Sequence, residues 1–287
     1  MQNIGTFTIN EIHRGDSAEL LKQLPPECID LTVTSPPYDN LRTYNGFTFD
    51  FETIAKELYR VTKSGGVVVW VVGDATVKGS ETLTSFRQAI FFQSIGFNVE
   101  TMIYHKECPT WNQNSRRYKQ DFEYMFVCSK GQAKTFNPLK DKAVANTRKR
   151  AIKDKRSGTN SKYSLYTPNQ FTARSNIWHY YVGSLDGVVN HPAIFPEALA
   201  RDHILTWSNE GDIILDCFSG SGTTLKVAKL FSRNFIGIEI SDEYCTVARK
   251  RLLATQVPLG LTLPNKACSG LAGTARLESE VSQPANR

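Results

Sequence analysis

A chain of 287 residues with 40% apolar side chains can bury a full core, either as one large domain or as one domain carrying a sizeable insertion. No apolar run approaches the roughly 18 residues of a membrane span, and the start Met-Gln-Asn-Ile-Gly lacks a basic stretch followed by an apolar one, so a cytoplasmic protein with no membrane partner is expected. The net charge is a modest +6 and the six cysteines (Cys28, Cys108, Cys128, Cys217, Cys245, Cys268) form no C-x-x-C pair, which argues against a zinc site or a disulfide framework and for reduced, buried thiols.

In chain order, residues 6–14 alternate apolar and polar side chains as a strand does, and Ser17–Leu24 reads as a short helix with Ser17 at its N-cap. The apolar run Ile29-Asp-Leu-Thr-Val33 is a buried strand. It meets Thr34-Ser35-Pro36-Pro37-Tyr38, where two prolines without N–H groups force the chain out of the sheet. Residues 39–49 read as a loop. Phe51, Ile54, Leu58 and Val61 have helical spacing over 51–62, and Ser64-Gly65-Gly66 is read as the stop. Val67–Val72 is uniformly apolar, the mark of a strand covered on both faces.

A helix over 81–94 and strands over 97–104 and 123–128 follow. Periodicity then disappears between 131 and 176. Residues 192–207 are expected to be helical, 212–216 a strand, 223–231 a helix, 235–239 a strand and 242–255 a helix. The tail from 258 is rich in Gly, Ser, Pro and Ala, and disorder is expected there. Strands alternating with helices predict an α/β fold, a doubly wound and mostly parallel sheet.

Charge is unevenly placed. Residues 106–174 hold 16 Lys and Arg against 5 Asp and Glu, a local +11 that leaves about −5 for the remainder. An acidic polymer bound along one face would give this asymmetry.

Two stretches carry chemistry. Ser35 through Tyr38 offers a hydroxyl, carbonyls with few competing donors and an aromatic face, a set suited to a flat heterocycle with an exocyclic amino group. Asp216-Cys-Phe218-Ser-Gly220-Ser-Gly222-Thr223-Thr224 follows a short buried strand, and its small residues let backbone pass close to a nucleotide. It is not a P-loop, because no Gly-Lys-Ser/Thr follows. Glu239 ends the next apolar strand, where a carboxylate can accept from ribose hydroxyls. Cys217 is read as packing.

Together, in this order, the two motifs resemble those of the β-class amino-methylating DNA methyltransferases, over about residues 6–255. The resemblance implies a circularly permuted, Rossmann-like methyltransferase sheet, S-adenosyl-L-methionine as cofactor, double-stranded DNA as partner and a flipped target base. It places Ser35, Pro36, Pro37 and Tyr38 in catalysis. Asp216, Phe218, Gly220, Gly222, Thr223, Thr224 and Glu239 fall at the cofactor, with Asp16 near its adenine and Phe195 and Pro196, after His191, along its methionine end. It divides the chain into a catalytic half (1–130), a basic target-recognition insertion (131–176), a cofactor-binding half (177–257) and the tail (258–287).

Arg42, Arg116, Arg117, Lys119, Arg148, Lys149, Arg150 and Lys153 are the candidate DNA contacts. Ser35 stands where many relatives carry Asp. The Ser35 motif leans toward cytosine N4 within the family, the larger number of adenine enzymes leans the other way, and adenine N6 is expected by a narrow margin. Many relatives pair, so a homodimer is expected; no nuclease motif stands out, which suits a solitary modifier as well as a partner to a separate restriction nuclease. The rivals are an RNA or protein amide methyltransferase, a nicotinamide dehydrogenase, and a non-catalytic DNA-binding regulator that keeps the fold.

Overall fold

The computed structural model describes residues 2–37, 49–107, 118, 120–142, 149–152, 162–165, 171–181 and 196–256. Among them, eight strands form one sheet: β1 (Glu11–Arg14), β2 (Ile29–Thr34), β3 (Thr62–Val72), β4 (Asn98–Glu107), β5 (Phe122–Ser129), β6 (Ile177–Tyr181), β7 (Ile213–Asp216) and β8 (Asn234–Glu239). Their spatial order is β6-β4-β5-β3-β2-β7-β8-β1. All neighbours run parallel except those flanking β5, which is antiparallel to both β3 and β4.

Among the described residues six helices accompany the sheet: α1 (Ser17–Leu21), α2 (Phe51–Val61), α3 (Thr84–Ser94), α4 (Glu197–Trp207), α5 (Thr223–Leu230) and α6 (Asp242–Ala254). The first three pack in sequence on one another, as do the last three. Every residue from Val67 to Val72 is buried, so β3 is covered on both faces as its sequence predicts. Trp70, fully buried, donates from Nε1 to Gln88 Oε1 at 2.8 Å, which lets an indole sit in an apolar core without an unmet donor.

Several local readings are corrected. The strand over 6–14 is two pieces, Phe7–Thr8 and β1, because Asn10 adopts φ 67°. Its side chain offsets the break, Oδ1 accepting from Phe235 N at 3.0 Å in the place of a ladder bond. The cap of α1 is Asp16, whose carboxylate accepts from Glu19 N, rather than Ser17; Ser17 Oγ donates instead to the Cys217 carbonyl.

Helix α2 ends at Val61, before the glycines, and the chain passes directly into β3. Gly65 and Gly66 lie within that strand at a register shift against β2, Gly65 at φ 81° and Gly66 so close to the Asp30 carbonyl that a Cβ would come within 2.9 Å of it. The helix expected from 81 starts at Thr84, since Ser80–Glu81 pairs with Thr76–Val77. Asp74, reaching across from the end of β3, accepts from both Ser85 N and Ser85 Oγ and satisfies the first turn of α3. Strand β6 lies where no element was expected; Trp178 and Tyr180 point inward while Ile177, His179 and Tyr181 point outward.

The described residues fall into two compact units, those up to 137 with those from 175 to 256 forming one, and those between 138 and 174 the other. Within the second, Lys140–Lys142 pairs antiparallel with Phe171–Ala173 and Lys149–Ile152 with Lys162–Leu165. The tail from 258 lies outside the described residues.

Candidate active site

The topology reverses direction between β2 and β7. From β2 the chain builds toward β3, while β7, β8 and β1 extend the other way. Ligands of open α/β sheets sit at the carboxyl ends of the strands beside such a reversal. The adjacency expected from the two motifs is present: Ile214 pairs with Leu31 and Leu215 with Thr32 in parallel. Ser35–Pro37 and the Cys217–Gly222 loop therefore leave the sheet side by side.

A buried polar knot joins them. Thr34 Oγ1 donates to Asp216 Oδ1 at 2.7 Å, the same oxygen accepts from Phe218 N at 3.1 Å, and Thr224 Oγ1 donates to the Val33 carbonyl at 3.2 Å. Thr34 and Thr224 are wholly buried and Asp216 nearly so. Burial pushes the Asp216 carboxyl up to about 6, against the pull of its bonds to Thr34, Phe218 and Thr224. Cys217 is fully buried and its thiol is pushed up, chiefly by burial, in keeping with a packing role.

Glycine backbone gives the loop its close-approach geometry. Gly220 has φ 49° and Gly222 φ 80°, and a Cβ on Gly222 would lie 2.9 Å from the Ala248 Cβ. Both demands exclude a larger residue at 222. Phe218 is anchored at its edge by Phe49 (5.5 Å between centroids) and Trp70 (6.1 Å).

Glu239, at the end of β8, is mostly buried; Oε2 accepts from Gly220 N at 2.7 Å and Oε1 from Ser241 N at 2.9 Å. Burial raises its pKa, opposed by those backbone N–H groups and that of Ile240. Each oxygen keeps further lone-pair capacity for a hydroxyl donor. Asp16 lies just past β1, and between them Gly15 N donates to the Glu239 carbonyl at 3.0 Å. Asp16, Glu239 and Gly220 thus stand on neighbouring strand ends, with a carboxylate and left-handed glycines where a nucleoside needs acceptors and close backbone. This donor set fits an adenosine-containing cofactor.

The placement of the other candidates is uneven. Ser35 and Pro37 are half-buried and Pro36 buried; Pro196 is the N-cap of α4, and Thr223 begins α5. Lys149 and Arg150 lie in a strand of the second unit. Tyr38, Arg42, Arg116, Arg117, Lys119, Arg148, Lys153 and Phe195 lie outside the described residues. Sequence reasoning missed the Thr34 hydroxyl and Arg251, which donates to Ser221 and Glu197. Adjacency to the Pro-Pro turn could have flagged Thr34. Arg251 had no signal beyond its place in the last turn of a helix. Among the described residues no cluster of three or more His, Cys, Asp or Glu could hold a metal, and no helix is long and apolar enough to cross a membrane.

Comparison with known proteins gives a consistent result. The family described as DNA methylase, of the N6 and N4 type, matches residues 29–250. The orphan methyltransferase M.BamHII of Bacillus amyloliquefaciens is 54% identical over 235 residues, covering 78% of this chain and 88% of its own. The type II methyltransferase M.HinfI of Haemophilus influenzae is 31% identical over 277 residues, covering 88% and 70%. Among solved structures, a DNA modification methylase of Thermus thermophilus in complex with S-adenosyl-L-methionine is 25% identical with TM-score 0.59, covering 87% of this chain and 95% of that one. The cytosine-N4-specific PvuII methyltransferase shares the fold, with TM-score 0.64 at 23% identity, covering 87% and 90%. With more than half its length matched, and both motifs at adjoining strand ends, the chain belongs to the family of DNA methylases that modify exocyclic amino groups.

Proposed function

We propose that this DNA methyltransferase holds the exocyclic amino group of a flipped base at Ser35 and Pro36 and presents it to S-adenosyl-L-methionine in the loop 216–224. The observation that carries the reading is the pairing of β2 with β7, which brings the base-holding turn against the glycine loop. When bound, the cofactor supplies a methyl group on a sulfonium, an electrophile that needs no further activation.

The chain's own residues do the rest. An exocyclic amino nitrogen is a weak nucleophile because its lone pair is delocalised into the ring. Ser35 Oγ and the Pro36 carbonyl, accepting its two N–H bonds, draw it toward tetrahedral geometry and free the lone pair. Tyr38 supplies the stacking face that offsets part of the cost of extruding the base. Glu239 and Asp16 take the nucleoside end, and Phe195 and Pro196 the methionine end. A neutral serine is a poor base, so the proton leaves after transfer, when the nitrogen is cationic. Positioning is the main catalytic contribution.

Adenine N6 is the first expected product. Cytosine N4 is the second reading, favoured by one observation: residue 35 is a serine and supplies a neutral acceptor. The test incubates the protein with unmethylated genomic DNA and cofactor and assays nucleosides by mass spectrometry. Either N6-methyladenine or N4-methylcytosine appears, and Ser35→Ala lowers kcat by about 10²–10³-fold, as loss of a transition-state hydrogen-bond partner does. Formation of neither product, with cofactor binding intact, would favour the non-catalytic regulator.

Arg42, Arg116, Arg117, Lys119, Arg148, Lys149, Arg150 and Lys153 are assigned to the DNA backbone; a cytoplasmic site of action belongs to the same reading and is supported by the match to a DNA methylase family. The relative M.BamHII is called an orphan, which supports a solitary modifier rather than one paired with a restriction nuclease. A homodimer is supported by the exposed apolar side chains of the sheet edge, Ile177 and Tyr181, and of α3 and its N-cap, Leu83, Phe86 and Ile90.

A further inference from the structure

We propose that Arg251 is a positioning residue for the cofactor loop, acting with Glu197 as a clamp between that loop and the start of α4. The proposal rests on the reading of residues 216–224 as the cofactor loop. Arg251 lies in the last turn of α6 with its side chain only 16% exposed. Nη1 donates to the Ser221 carbonyl at 2.7 Å and to Ser221 Oγ at 2.8 Å, with Thr223 Oγ1 at 3.4 Å; Nη2 donates to Glu197 Oε1 at 2.9 Å. Lys226 Nζ, from α5, reaches the same Glu197 oxygen at 2.7 Å.

Three features make this more than a packing contact. Ser221 lies between Gly220 and Gly222, both with positive φ, so its peptide has left-handed, permissive backbone on either side and little intrinsic reason to keep one orientation. A planar guanidinium fork bonded to both the carbonyl and the hydroxyl of one residue fixes that orientation, which a flexible ammonium does poorly. The other arm of the fork ends on Glu197, the residue directly after Pro196. That proline closes the stretch assigned to the methionine end of the cofactor. One side chain therefore ties the two walls of the cofactor site in register, and Lys226 adds a second cation that keeps the Glu197 carboxylate in place.

The experiment uses the full chain and measures S-adenosyl-L-methionine binding by calorimetry beside the melting midpoint and DNA affinity, for wild type, Arg251→Ala, Arg251→Lys, Glu197→Gln and the double variant. Loss of charged hydrogen bonds predicts a cofactor Kd raised about 10–100-fold in Arg251→Ala, with DNA affinity unchanged and kcat at saturating cofactor largely kept. Arg251→Lys restores little. The double variant binds no worse than Arg251→Ala alone, since both act through one clamp.

Cofactor binding within twofold of wild type in Arg251→Ala, with a lowered melting midpoint, would overturn the proposal and leave Arg251 a stability residue. If Arg251→Ala fails to fold, the near-isosteric Glu197→Gln decides: a raised Kd supports the clamp and an unchanged one overturns it. Wild type that binds no cofactor would remove the reading of the loop itself, a failure distinct from that of the clamp.

Discussion

Asp216 bears an electrostatic cost of the site, set by its burial. Its carboxyl keeps its proton to about pH 6 in the folded protein, against an ordinary value of 3.8. The folded state therefore binds more protons than the unfolded state between those values, and this contribution to stability is full below pH 3.8 and is lost as pH rises through about 6. Asp216→Asn keeps an oxygen for Thr34 and Phe218 without the charge. In denaturant titrations of the cofactor-free protein, the variant is expected to lose this pH dependence and to gain up to about 3 kcal/mol relative to wild type above pH 6.

His203 works in the opposite sense. Fully buried, with its ring 4.6 Å from that of Trp178, it is held neutral down to about pH 3 by burial. The unfolded chain takes up that proton near the ordinary 6.5, so stability is lost as pH falls from 6.5 toward 3. His203→Leu should retain more of its pH 7 stability at pH 5 than wild type does, read by the same titration. Neither shift was legible in the sequence, because each depends on which neighbours exclude water.

At the scale of elements, the glycine loop tolerates no side chain at position 222. Gly222→Ala would combine left-handed strain with a contact 2.9 Å from the Ala248 Cβ. It is expected to cost about 1–3 kcal/mol and to weaken cofactor binding, checked by thermal melting and calorimetry.

The motifs at this loop and at Ser35–Tyr38 were legible because each ends a buried apolar strand, and their strands proved to be neighbours. Strand β6 was not legible. Ile177-Trp-His-Tyr-Tyr181 carries large side chains on both faces, and the alternation that marks a strand appears only once α4 has covered Trp178 and Tyr180; Tyr180 Oη donates to Asp202 Oδ2 at 2.9 Å. Likewise Gly65-Gly66 reads as a helix stop in sequence, yet serves a register shift in β3. A glycine pair signals unusual backbone without saying which element needs it.

At the scale of the whole molecule, the α/β class and the order of elements followed from alternating periodicity. The antiparallel direction of β5 within the eight-stranded sheet did not, since strand direction leaves no mark on side-chain pattern. Charge asymmetry was legible by counting and belongs to this scale. Residues 138–174 carry ten Lys and Arg against two Asp, a local +8. If this stretch meets DNA phosphates, reversing Lys149, Arg150 and Lys153 together to Glu should weaken binding at all sequences and flatten the dependence of log K on log salt by about 3, near one unit for each phosphate contact. Binding isotherms across a salt series measure this, and an unchanged slope would remove these three residues from the interface.

Both ends of that stretch are fastened. Asn137 donates from its backbone N–H to the Thr206 carbonyl and from its side chain to that of Leu205, while Asn176 donates from its side chain to the Thr101 carbonyl. A segment that departs and returns through anchored posts can change its length and contents without disturbing the sheet that carries the chemistry. If residues 138–174 read the target, evolution can rewrite which DNA sequence is addressed while the reaction stays the same, and an exchange of that stretch between relatives becomes a route to new addresses on an unaltered catalytic frame.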